Sequence, residues 1–385
     1  MLDGIRNSSH RRNMKSSVII FLGSFSIAYS AFTPDRIEKY GYPSETHQVE
    51  TEDGYILQNS KTNSTKPPVL VVHGIIGSSD HYVITGPKQG LVFQLYDQGY
   101  DVWLANTRGN TYTKKHKSLS TSSQEFWNYT FHELAIYDLP ATIDHVLETT
   151  KKDKIHYIGH SQGTTVFFVL LSERPEYNKI IQSAVLLAPV AFMGSLREPH
   201  YSEYFRFVAF TFLAPELGRK NPEFDKMGSF EVFPFNKRIA KFATDLCMNN
   251  GELCKQLFKY GGSTGYKHYQ QRLIPDIFAT FPCSSSVNQF VHYGQMFMSN
   301  KFQKCDWGSK SRNMMKYGSP SPPEYNLENV KVPVNLIYSD DDAVVSPTDV
   351  KRLLKRLPNV KSVKFIQNEG WQHFDFLWSL HVKSL

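Results

Sequence analysis

Short apolar runs alternate with amphipathic stretches along much of the chain. Val69–Val72, Asp101–Ala105, Ile155–Gly159 and Ala184–Ala188 are rich in branched and aromatic residues and bounded by turn residues, which predicts strands. Between them, Gly90–Gln98, His132–Thr149 and Thr164–Glu173 carry helical spacing, the last ended by Pro175. After a long interval the pattern resumes with a predicted strand at Val334–Ser339, a helix at Pro347–Leu357 and a strand at Ser362–Gln367. Strands separated by crossover helices build a mostly parallel sheet with helices on both faces. The sheet is therefore predicted to be split in sequence into two blocks.

The interval between the blocks, residues 192–325, differs in character. It holds Tyr201, Tyr204, Phe205, Phe207, Phe210, Phe212, Phe230, Phe233 and Phe235 together with every cysteine of the chain. It reads as a mostly helical cap inserted between two strands, with most of these aromatics forming the cap's own core. Residues 31–191 and 326–385 then make up the two parts of the core.

Residues 1–30 read as a signal peptide. Arg11, Arg12 and Lys15 precede an apolar run from Val18 to Ala31, and Ala28-Tyr29-Ser30 fits a small-x-small cleavage site. Gly23, Ser24 and Ser26 interrupt that run, which is too short to span a bilayer comfortably, so no stable transmembrane segment is expected. The chain has 385 residues and a formal net charge of +7, of which +4 remains once Arg6, Arg11, Arg12, Lys15 and Asp3 are removed. The remaining Lys and Arg are interspersed with acids rather than gathered in a stripe, which argues against nucleic-acid binding. Sequons at Asn63-Ser64-Thr65 and Asn128-Tyr129-Thr130 agree with a secretory route. So do four cysteines confined to one stretch, Cys247, Cys254, Cys283 and Cys305. No C-x-x-C or H-E-x-x-H occurs, and neither a metal nor an organic cofactor is implied.

The pattern G-x-S-x-G occurs twice. At Gly159-His160-Ser161-Gln162-Gly163 it follows the strand-like Lys154–Ile158 and precedes an apolar helix, the strand–sharp turn–helix arrangement that lifts a serine hydroxyl above a sheet. At Gly261-Gly262-Ser263-Thr264-Gly265 it follows a helical pattern and leads into polar residues, and is rejected as a loop. A nucleophilic serine needs a base, and the base an orienting acid, in the chain order Ser, acid, His. Asp340-Asp341-Asp342 directly follows the strand Val334–Ser339, and His373 follows the next strand through a short loop, with His381 as the fallback base. The residues alone do not choose among the three aspartates. For the oxyanion, the backbone N–H of Gln162 and that of Ile75, in the turn His73-Gly74-Ile75-Ile76-Gly77, are the expected donors.

Several longer stretches resemble the acid lipase family, the group of gastric, lysosomal and related invertebrate lipases. They are Tyr42-Pro43-Ser44-Glu45 with Thr51–Leu57, His73–Ser79, Gly99–Asn110, Phe126-Trp127 through Ala141, Gly159–Pro175, and His373-Phe374-Asp375-Phe376-Leu377-Trp378. The resemblance runs from about residue 33 onward and is weakest in the cap. It implies an α/β-hydrolase with a cap and lid, hydrolysing triacylglycerols or sterol esters at a lipid–water interface, secreted or lysosomal. It also implies Ser161 as nucleophile, Asp342 as acid, His373 as base and a Cys247–Cys254 bridge. Alternatives are a catalytically impaired lipid-binding or storage protein on the same fold and a short-chain carboxylesterase. Three departures stand out. A polar Asn59–Thr65 stretch replaces an additional strand, the chain stops soon after Trp378, and Cys283 and Cys305 stand where relatives more often have other residues. Their joint appearance predicts a Cys283–Cys305 bond.

Overall fold

A computed structural model describes residues 32–197, 230–254, 271–367 and 369–384. Helix α1 (Thr33–Lys39) leads into an antiparallel hairpin of β1 (Glu45–Glu50) and β2 (Ile56–Lys61). Then follow β3 (Pro68–Val72), α2 (Leu91–Asp97), β4 (Asp101–Leu104), α3 (Leu139–Thr150), β5 (Ile155–His160), α4 (Gln162–Glu173) and β6 (Ile181–Leu187). From β6 the chain leaves the sheet. The described part of the interval contributes β7 (Glu231–Val232), α5 (Lys237–Asn249), α6 (Ile274–Thr280), β8 (Ser285–Ser286), α7 (Val287–Ser299) and α8 (Lys310–Tyr317). It returns through β9 (Val334–Ser339), α9 (Pro347–Leu354), β10 (Val360–Ile366) and the short α10 (Asp375–Trp378).

The main sheet has eight strands in the order β1-β2-β4-β3-β5-β6-β9-β10. All neighbours from β4 to β10 run parallel, and only the β1–β2 and β2–β4 pairs are antiparallel. β3 is buried along its whole length and reads as a continuous apolar run because helices cover both of its faces. β10 closes one edge with Lys361 and Lys364 exposed, charges that discourage pairing with another sheet. α4 is buried from Gln162 to Ser172, as its nearly all-round apolar sequence requires.

The structure differs from the sequence reading at two places. The long helix expected over His132–Thr149 is broken: Leu134–Asp138 forms a π-helical turn before α3. Pro140 sits in the first turn of α3 and has no N–H to donate back to Ile136, so the regular ladder cannot run through. The polar stretch from Asn59 is not strandless either, since Asn59, Ser60 and Lys61 lie buried in β2. The polar side chains of Asn59 and Lys61 are satisfied across the sheet. Asn59 accepts from the Asn106 N–H at 3.0 Å, and the Lys61 ammonium lies 3.6 Å from Asp101 and over the Trp103 ring.

Candidate active site

β5 ends in a turn too tight for anything but glycine at two points. A Cβ on Gly159 would come within 2.7 Å of the Gly163 backbone, and one on Gly163 within 2.3 Å of the Val72 carbonyl oxygen. Between them Ser161 is held at φ 55°, a conformation that side chains rarely adopt, and α4 starts at the next residue. Strain at this serine is sustained because β5 is hydrogen bonded between β3 and β6, with Ser161 N–H itself donating to the Leu187 carbonyl at 3.0 Å.

The candidate acid and base come from the far block of the sequence. Past β9 the three aspartates separate by their partners. Asp340 is half-buried and its N–H donates to Ile366. Asp341 accepts from the Gly370 N–H at 2.8 Å, tying the loop after β9 to the loop after β10. Asp342 is fully buried: one carboxylate oxygen accepts from the Val344 and Val345 N–H groups at 2.7 and 3.0 Å. Its other oxygen is 2.9 Å from His373 Nδ1. On the opposite side of the ring, His373 Nε2 is 2.8 Å from Ser161 Oγ. The Asp342 carboxylate fixes the tautomer with the proton on Nδ1, leaving Nε2 to accept the Ser161 hydroxyl. His381, by contrast, stands beyond α10, where its N–H donates to Ser379 Oγ.

A third element closes the site. The turn after β3 comes up so closely that a Cβ on Gly74 would lie 3.1 Å from Ser161 Cβ and 3.5 Å from its Oγ. Ile76 in this turn adopts φ 52°. The N–H of Gln162 belongs to the first turn of α4, where helix amides have no partner within the helix. The Ile75 and Gln162 amides thus belong to the two backbone segments that flank the Ser161 hydroxyl, the arrangement an oxyanion requires.

Supporting this layer are residues that sequence reasoning did not single out. His73 is buried, donating from Nδ1 to the Gly74 carbonyl at 2.7 Å and accepting at Nε2 from the Thr107 N–H at 3.2 Å. Burial lowers its pKa to about 4. His160, the variable residue of the motif, donates from Nε2 to the backbone carbonyl of His373 at 2.9 Å, joining the elbow to the base loop. Burial, and then the neighbouring His373, push it well below the ordinary histidine range. Arg108 is buried with its guanidinium over the Tyr55 ring, bonded to Asp138 at 2.6 Å and to Asp53 at 2.6 Å. The π-helical turn delivers the Asp138 carboxylate to it. Although burial works against its charge, the two carboxylates hold Arg108 above its ordinary pKa. No local pattern marks these residues, because each acts through a partner at least thirty positions away.

The remaining candidates fall elsewhere. Cys247 and Cys254 are joined by a disulfide at the end of α5. The predicted Cys283–Cys305 bond is not formed, and both stand as buried thiols. Cys283 Sγ donates to the Thr280 carbonyl at 3.0 Å and its N–H to the Ile76 carbonyl, beside the site. Cys305 belongs to another part of the interval, next to Asp306 and the Tyr317 hydroxyl. Joint occurrence in sequence gave no information on distance. Asn63 and Asn128 are both exposed. The second G-x-S-x-G, at residues 261–265, lies outside the described residues, as does the 1–30 segment. Among the described residues no helix is long and apolar enough to cross a membrane, and no group of three or more His, Cys, Asp or Glu could hold a metal ion.

Comparison with known proteins agrees with this fold. Residues 67–222 match the family model of the alpha/beta hydrolase fold, and residues 33–86 match that of the partial alpha/beta-hydrolase lipase region. Lipase 3 of Drosophila melanogaster is 40% identical, covering 91% of this chain and 89% of the relative. Gastric triacylglycerol lipase of Bos taurus is 37% identical, covering 96% and 92%. Lysosomal acid lipase/cholesteryl ester hydrolase of Homo sapiens is 34% identical, covering 89% and 86%. Among solved structures, an epoxide hydrolase from Vigna radiata superposes with a TM-score of 0.52 at 17% identity, covering 87% of this chain and 93% of that one, a likeness of fold alone. With the elbow, the split sheet and relatives similar over nearly the whole chain, the protein belongs to the acid lipase family and is an ester-hydrolysing α/β-hydrolase.

Proposed function

We propose that this enzyme hydrolyses long-chain lipid esters, triacylglycerols or sterol esters, through Ser161, His373 and Asp342. The observation that carries the assignment is the continuous chain of hydrogen bonds from Ser161 Oγ through His373 to Asp342, at 2.8 and 2.9 Å. His373 takes the Ser161 proton as Oγ attacks the ester carbonyl, and Asp342 stabilises the imidazolium that results. The N–H groups of Gln162 and Ile75 receive the negative charge on the tetrahedral oxygen. His373 then gives its proton to the departing alcohol, and water repeats the sequence on the acyl-enzyme. The lipid substrate is carried over from the relatives' names, and the sequence interval 192–325, between β6 and β9, is read as the cap. The signal-like residues 1–30, the exposed sequons at Asn63 and Asn128 and the Cys247–Cys254 bridge support a secreted or lysosomal enzyme.

The test is fluorophosphonate labelling of the mature protein beside Ser161→Ala and Ser263→Ala, followed by ester hydrolysis across acyl lengths. Labelling lost only in Ser161→Ala, with long acyl chains preferred, is the expected result. Folded protein that takes no label would overturn the catalytic assignment, and a preference for short acyl chains would overturn the lipid one.

A further inference from the structure

Helix α7, which belongs to the inserted interval, is hydrogen bonded along one face to the first turn of α4, the turn that carries the nucleophile. Gln289 Oε1 accepts from Gln162 Nε2 at 2.7 Å, and four residues on, the Tyr293 hydroxyl donates to Thr165 Oγ1 at 3.1 Å. Residues four apart on one helix therefore meet residues three apart on the other, so the contact fixes rotation as well as distance. Gln162, Gln289, Thr165 and Tyr293 are all buried. Gln289 is itself held: its Nε2 donates to Ser285 Oγ at 2.8 Å, and Ser285 is paired in the β7–β8 ladder. α7 is fastened to the core at separate points. The Ser286 hydroxyl donates to the Trp127 carbonyl at 2.5 Å, and His292 stacks on Phe131 with ring centroids 3.8 Å apart.

We infer that Gln289 is a positioning residue for acyl transfer, holding the Gln162 side chain so that the Gln162 N–H stays aimed at the oxyanion. Oxyanion donors act within a few tenths of an ångström of their working distance, so a small rotation of the first turn of α4 lowers turnover without loosening the substrate site. The interval does more than cover the site: it sets one of its two oxyanion donors. This inference rests on the roles proposed above for Ser161 and Gln162.

Its test is a double-mutant cycle read by steady-state kinetics on a soluble p-nitrophenyl ester, with active sites counted by fluorophosphonate titration. Gln289→Leu is expected to lower kcat about tenfold, less than complete loss of an oxyanion donor, with KM changed by less than about twofold. In a Gln162→Ala background, where the backbone N–H remains but the side-chain link is already gone, Gln289→Leu is expected to add nothing. Should leucine unfold the cap, Gln289→Asn keeps the amide, withdraws it by one methylene and is expected to show the same loss confined to kcat. A rise in KM at unchanged kcat, or a further tenfold loss in the Gln162→Ala background, would overturn the inference. Ser161→Ala run alongside keeps the two readings apart. Residual turnover there defeats the catalytic assignment, whereas inactive Ser161→Ala with fully active Gln289→Leu defeats only the role of Gln289.

Discussion

At Asp342 one carboxylate oxygen accepts from the N–H groups of Val344 and Val345 and lies 3.1 Å from His373 Nδ1, while the other lies 2.9 Å from the same nitrogen. The side chain can neither turn away nor exchange roles with its neighbours, and Asp341 is engaged with Gly370 instead. Asp342→Asn keeps the shape but favours the wrong tautomer of His373, and is expected to lower kcat by about 10⁴ on a soluble ester. Asp341→Asn retains an acceptor for Gly370 and is expected to lower kcat less than about tenfold. The cysteines offer a second check at this scale. Cys283 and Cys305 are thiols, and burial pushes that of Cys283 up to about 11. Iodoacetamide is therefore expected to leave both untouched in the native protein and to label both, but not Cys247 or Cys254, in denaturant without reductant. No label at Cys283 or Cys305 after unfolding would restore the bond predicted from sequence.

Among the elements, the elbow works only because β5, β3 and α4 approach within backbone contact. Gly163→Ala places a methyl group 2.3 Å from the Val72 carbonyl, which the central strand cannot yield. A loss of more than about 2 kcal/mol in denaturant unfolding is expected, together with loss of activity. The loop after β4 and the π-helical turn before α3 depend on each other through Arg108, which bonds to Asp138 and to Asp53 at 2.6 Å each. Arg108→Met leaves two carboxylates without their cation and is expected to cost about 3–5 kcal/mol. Arg108→Lys should recover only part of this, since a lysine cannot bond bidentately to Asp53 while also reaching Asp138.

For the molecule as a whole, a set of buried histidines around the site links folding to pH. His73 and His81 have their pKa values lowered to about 4 and about 3 by burial, and His160 is held well below the ordinary histidine range by burial and by His373. Unfolded, each takes up a proton near pH 6.5. Between that value and their folded pKa values the unfolded state binds more protons, so the stability these groups contribute is complete above about pH 6.5 and is lost as pH falls toward 3. The thermal midpoint is therefore expected to fall steadily from pH 7 to pH 4. His81 packs against Phe281 and Trp378, and neither ring nitrogen has a partner among the described residues. His81→Leu should therefore flatten this slope, raising the midpoint at pH 4.5 relative to wild type by more than at pH 8. An equal change at both pH values would show that His81 is not one of the linked groups.

The sequence by itself determined the alternation of strands and helices and the two blocks of the sheet, and singled out Ser161 and His373 as candidates. Each of these is encoded locally, by apolar periodicity, by glycines flanking a strand-to-helix turn, or by order along the chain. It left Asp340, Asp341 and Asp342 equivalent until the resemblance to a family favoured Asp342, because their difference lies in partners around Gly370 and His373. It also gave β1 and β2 no apolar signature, since their pairing is settled by Asn59, Lys61 and the strand beside them. It paired Cys283 with Cys305, which folding keeps as separate thiols. Only the tertiary structure decided which buried polar groups meet: Arg108 with Asp53 and Asp138, His160 with the His373 carbonyl, Gln162 with Gln289. Burying such groups is costly without a partner, and the partners of these three lie between 30 and 213 positions away.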